Sequence, residues 1–113
     1  MSATDGAAPG VIEAEGAAKG LLSAAEVERR LAELPGWTRD GDSLHRVFEC
    51  GDFNGSLRFV NAVANVANEL DHHPDVAFSW GTVTLTLSSH DAGGLTTRDF
   101  ALAARIDGLA TGK

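Results

Sequence analysis

The sequence has one cysteine, Cys50, so the chain cannot close a disulfide within itself, and the thiol is expected to behave as a buried apolar group. It is also short of positive charge: 9 Lys and Arg stand against 16 Asp and Glu, a formal net charge of −7. A nucleic-acid binder must neutralise phosphates, and a protein that settles on an anionic membrane surface needs the same cations. Neither partner is expected. Long apolar runs are missing too. A bilayer-spanning helix needs about 20 such residues, and the runs here stop after a few. No basic stretch followed by an apolar one opens the chain, so no secretory leader is expected and the expected location is cytoplasmic. No internal repeat is strong enough to set the architecture, although a strand-strand-helix order occurs twice.

What remains is ordinary globular composition, 43% hydrophobic and 22% charged over 113 residues, which suits one domain with a modest core. Residues 1–20 are rich in Ala and Gly and hold few large apolar side chains. They cannot bury enough surface to offset ordering entropy, so a disordered N-terminal tail is expected there, with the domain over 21–113.

Local signals place the elements. Ser23 and Glu26 stand at capping-box spacing, with Leu22 and Val27 at staple positions. Val27, Leu31 and Leu34 repeat at helical spacing until Pro35-Gly36, which predicts a helix over about 23–34. Asp40-Gly41-Asp42-Ser43 between two short runs predicts a hairpin, with strands near 37–39 and 44–50. Asp52 can cap a long helix over about 53–70, whose apolar stripe runs through Phe53, Leu57, Val60, Val63 or Ala64, Ala67 and Leu70. Val76, Phe78 and Trp80 alternate with small residues, Gly81 marks a turn, and Val83, Leu85 and Leu87 alternate with threonines. These runs predict a second hairpin. Thr96 and Asp99 have N-cap spacing, with Leu95 and Phe100 as the staple, for a last helix over about 97–109. The expected fold is α+β: a two-layer sandwich of a four-stranded antiparallel sheet with helices on one face, built of two β-β-α units and an N-terminal helix. Its short edge strands and an uncovered sheet face predict a homo-oligomer, dimer or tetramer.

His72 and His73 follow the long helix, and His90 follows the clearest strand. Both places are loop ends beside rigid elements, where functional groups concentrate. The unperturbed imidazole pKa, about 6.5, suits paired acid and base work at neutral pH. The bland alternatives are a surface His-His pair and a structural His90. A metal site is a poorer fit, since adjacent histidines rarely reach one ion together and no clear fourth ligand appears.

The stretch Leu70-Asp71-His72-His73-Pro74-Asp75 resembles a signature of the pterin-4a-carbinolamine dehydratase family. So does Ser89-His90-Asp91-Ala92-Gly93-Gly94-Leu95-Thr96 with Arg98-Asp99, and Leu34-Pro35-Gly36-Trp37 is similar to the family's helix-to-strand junction. The likeness covers about residues 22–108. It implies a hydro-lyase, 4a-hydroxytetrahydrobiopterin dehydratase, that serves tetrahydropterin recycling. It implies His72, His73 and His90 as the catalytic trio, with His72 the principal acid/base. It further implies Trp37, Asp71, Arg98 and Asp99 around the pterin, which is substrate rather than cofactor, and no metal. Asp99 has a second explanation as an N-terminal helix cap, and Trp37 as a core aromatic. One position departs: the family's usual acid four residues before the first histidine is Asn68 here. Either Glu69 or Asp71 substitutes, or the rate falls, or the chain is one of the dehydratase-like relatives that act as binding or assembly partners.

Overall fold

The computed structural model describes residues 20–111, so the expected tail lies, apart from Gly20, outside the described residues. The elements are α1 (Ala24–Leu31), β1 (Thr38–Asp40), β2 (Ser43–Glu49), α2 (Phe53–Leu70), β3 (Asp75–Phe78), β4 (Thr82–Leu87) and α3 (Thr97–Thr111), with a short 3₁₀ turn at His90–Ala92 before α3. The strands form one antiparallel sheet in the order β1-β2-β4-β3.

Caps explain most of the boundaries. Ser23 accepts the Glu26 amide at the head of α1, and Asp52 accepts the Gly55 amide at the head of α2 at 2.7 Å. Arg29, and then Arg30, bond the Glu26 carboxylate and hold it below its ordinary pKa. Helix α1 ends earlier than the expected residue 34. Proline disfavours helical backbone in the residue before it, and the segment closes instead in turns in which Leu34 donates to the Leu31 carbonyl and Trp37 to that of Leu34. The first hairpin is tighter than its sequence suggests. Asp40 pairs with Ser43, so Gly41 and Asp42 alone make the loop. Gly41 takes the positive φ, 61°, that a two-residue II′ turn asks of its first position. Helix α2 keeps the expected bounds and ends in a left-handed C-cap at Asp71, φ 53°.

The layers follow from strand parity. Leu44 and Phe48 of β2 and Val83, Leu85 and Leu87 of β4 point into the helix layer and are buried with Val63, Val66, Leu102, Ala103 and Ile106. Each large side chain so buried contributes about 1.5–3 kcal/mol. The threonines of β4 face the other way and stay partly exposed. Helices therefore cover one face. The register sets the functional geometry. Asp75 pairs with Thr86, and Leu44 with Leu87. The segment entering β3, the segment leaving β4 and the tip of the first hairpin all meet at one end of the sheet. No helix among the described residues is long and apolar enough to cross a membrane.

Candidate active site

That end of the sheet carries all three expected histidines. His72 and His73 lie between α2 and β3, and His90 lies in the 3₁₀ turn after β4. The left-handed backbone at Asp71 reverses the chain at the end of α2, and the His72 amide closes on the Ala67 carbonyl at 3.1 Å. His72 turns inward and is buried, while its neighbour His73 stays exposed.

His72 Nε2 lies 2.6 Å from Asp99 Oδ1, and the Asp99 side chain is fully buried. A carboxylate only accepts, so His72 donates from Nε2 and Nδ1 is left as the basic nitrogen. Asp99 also does the work its cap spacing suggests: its Oδ2 accepts the Thr96 amide at 3.0 Å. One carboxylate thus caps α3 and orients a histidine. Its Oδ2 further accepts the Ser89 hydroxyl at 2.8 Å, and Ser89 Oγ lies 2.9 Å from Thr96 Oγ1. Ser89 and Thr96 are each 1% exposed.

His73 Nε2 lies 2.9 Å from Asn68 Oδ1. The unusual asparagine therefore serves the exposed histidine. Glu69 does not replace it, because its carboxylate is held by Arg105 of α3. Asp71 is exposed, and its left-handed backbone forms the C-cap of α2. His90 is exposed, with Nε2 3.2 Å from Ser88 Oγ.

Arg98 is turned toward the His90 loop. Its Nη2 meets both Asp91 oxygens at 3.0 and 3.1 Å, and its Nε and backbone N–H both donate to Thr96 Oγ1 at 3.2 Å. Trp37 is not brought to the histidines. It is 3% exposed in the core, edge-on to Phe48, and its indole N–H donates to Asp107. Asp107 lies two helical turns beyond Asp99 on α3, about 12 Å along the axis. Arg46 shares the same Asp107 oxygen and lies over the Phe48 ring.

Two hydroxyls were missed as site residues, Ser89 and Thr96. The signal was present. Val83, Leu85 and Leu87 set the inward parity of β4, and Ser89 is the next inward position. A polar residue there has to find a buried partner. Among the described residues no group of three or more His, Cys, Asp or Glu is gathered as a metal site.

Known proteins resemble this chain in sequence and in fold. The protein-family model described as pterin 4 alpha carbinolamine dehydratase matches residues 20–109. A Roseiflexus castenholzii protein, provisionally named a pterin-4-alpha-carbinolamine dehydratase, is 51% identical over 77% of this chain and 94% of its own. A Thermosynechococcus vestitus protein with the same provisional name is 47% identical over 79% of this chain and 94% of its own. A solved Brucella melitensis structure, described as a transcriptional coactivator/pterin dehydratase, superposes with a TM-score of 0.75 at 30% identity, covering 79% of this chain and 97% of that one. A pterin dehydratase-like protein described as a RuBisCO assembly factor in the alpha-carboxysome superposes with a TM-score of 0.55 at 28% identity, over 66% and 87% of the two chains.

Proposed function

The chain belongs to the pterin 4 alpha carbinolamine dehydratase family, and from that premise we propose that it dehydrates a 4a-hydroxytetrahydropterin, 4a-hydroxytetrahydrobiopterin included, to the quinonoid dihydropterin and water, by histidine acid/base catalysis. The observation that carries this reading is the buried His72–Asp99 pair at 2.6 Å, with an exposed second histidine, His73, beside it. The carbinolamine carbon loses its hydroxyl as a C=N bond forms. The hydroxyl must gain a proton to leave, and the ring nitrogen must give one up. One proton is taken and one supplied, and no electrons pass to an acceptor, so the step asks for neither metal nor redox cofactor.

In this reading His72 is the principal acid/base, working through Nδ1 while Asp99 holds Nε2. His73 binds or relays and His90 acts on the other face. Each proton transfer contributes about 10²–10⁴-fold. Arg98 acts on the loop that carries His90 rather than on the pterin, and the setting is cytoplasmic recycling of tetrahydropterin. The reading extends to a homo-oligomer. Strand β3 is a sheet edge, where Val76 and Phe78 are 42% and 38% exposed, with Trp80 just beyond it 70% exposed and Phe53 against the Phe78 ring. An apolar, unpaired edge is a template for a second chain.

The test is the decay of enzymatically generated 4a-hydroxytetrahydropterin, followed by absorbance, with the uncatalysed loss subtracted. Acceleration that disappears in a folded His72→Ala variant is expected. Turnover of that variant at the wild-type rate sinks the proposal.

A second reading is favoured by Asn68 and by the likeness to an assembly factor. Here the chain acts as a binding or assembly partner. A folded sample with no acceleration and no pterin affinity, which recovers one stoichiometric protein partner, supports that reading instead.

A further inference from the structure

We infer that Ser89 and Thr96 are positioning residues, whose hydroxyls form a one-way hydrogen-bond relay that fixes Asp99 and so keeps the His72 proton on Nε2. The effect on turnover rests on the dehydratase reading. The state of His72 does not.

The direction of the relay follows from counting hydrogens. The Ser89 hydroxyl has one, and it goes to Asp99 Oδ2 at 2.8 Å. Its 2.9 Å contact with Thr96 Oγ1 is then an acceptance, so Thr96 donates to Ser89. Thr96 Oγ1 in turn accepts the Arg98 backbone N–H and Nε–H, each at 3.2 Å. Every hydrogen of the relay points from Arg98, backbone and Nε alike, toward Asp99. The remaining carboxylate oxygen, Oδ1, meets His72. With Oδ2 filled by the Ser89 hydroxyl and the Thr96 amide, the carboxylate cannot rotate to offer His72 another geometry without breaking buried bonds.

The relay also joins the two loops of the site. Arg98, at its origin, holds Asp91 through Nη2, and Asp91 is the neighbour of His90. Loop closure does not need the Ser89 side chain. The Ser89 backbone alone bonds Ala92, Gly93 and Gly94. A hydroxyl at a 1% exposed inward position of a strand parity otherwise filled by Val83, Leu85 and Leu87 therefore serves Asp99.

The experiment pairs two readouts on the full chain. Long-range ¹H–¹⁵N correlation of the imidazole nitrogens, recorded as a function of pH, reports which His72 nitrogen carries the proton, and dehydration kinetics report kcat and KM. The wild type is expected to hold the Nε2–H form. Ser89→Ala, folded by circular dichroism, is expected to show mixed tautomers and a kcat lower by roughly ten- to a hundredfold at unchanged KM. Ser89→Thr, which keeps the hydroxyl, is expected to restore both. A wild-type His72 protonated on Nδ1 overturns the inference, and that result needs no variant to fold. So does a Ser89→Ala protein with wild-type tautomer and kcat, or an equal loss in Ser89→Ala and Ser89→Thr. If the wild type turns over no pterin yet holds Nε2–H, the dehydratase reading fails and the relay stands.

Discussion

Asn68 Oδ1 meets His73 Nε2 at 2.9 Å, so the residue that departs from the family pattern acts on the solvent-facing histidine and leaves the buried one to Asp99. An asparagine accepts this bond without adding charge. Asn68→Ala is expected to lower kcat by about three- to tenfold, the worth of one net hydrogen bond. Asn68→Glu, which brings a carboxylate to the imidazole, is expected to raise it. Steady-state kinetics at matched pH decide, and a variant set with identical kcat removes Asn68 from the mechanism.

Asp99 serves a helix end and a histidine at once, so its loss is expected to appear in two measurements. Asp99→Ala leaves the Thr96 amide, the Ser89 hydroxyl and His72 short of an acceptor in a buried site. A loss of about 2–4 kcal/mol in urea unfolding is expected, together with a fall in turnover. Asp99→Ala with wild-type stability contradicts the capping role.

Gly55 lies in the first turn of α2, where helix propensity favours alanine by about 1 kcal/mol. The fold reverses that preference. A Cβ there would stand 2.1 Å from the Cys50 carbonyl oxygen, which is backbone and cannot swing aside. Gly55→Ala is expected to destabilise by about 1–3 kcal/mol, checked by thermal and urea melts.

The β3 edge yields a prediction about assembly. Val76→Lys combined with Phe78→Lys adds two charges to the apolar edge without touching the buried core. The pair is expected to shift a multimer to monomer in light scattering after gel filtration. A monomeric wild type removes the oligomer from the proposed function.

The sequence carried most of the fold because its signals were local. The caps at Ser23, Asp52 and Thr96 and the two-residue period of Val83, Leu85 and Leu87 each specify backbone with no help from distant residues. A boundary failed where two local signals competed, at Leu34, where helical spacing runs into proline. The three histidines, Arg98 and Asp99 could be named as candidates from the sequence, and their hydrogen-bond partners could not. That Asn68 goes to His73, that Glu69 turns to Arg105 and that Trp37 seeks Asp107 are choices made by the packing of α2 on α3 and on the sheet. Ser89 lay between the two: its parity was written in the strand, and its partner ten residues on was not.

The left-handed turn at Asp71 makes unequals of twins. His72 and His73 are chemically identical and adjacent in the chain, and an unbroken helix would carry both into similar half-wet surroundings, about 100° apart around one cylinder. A residue at φ 53° between helix and strand leaves one buried beside a carboxylate and the other exposed. The two imidazoles then differ in setting, one bonded to a buried carboxylate and one open to solvent. Two identical side chains thus come to unlike surroundings through one turn of the backbone between helix and strand.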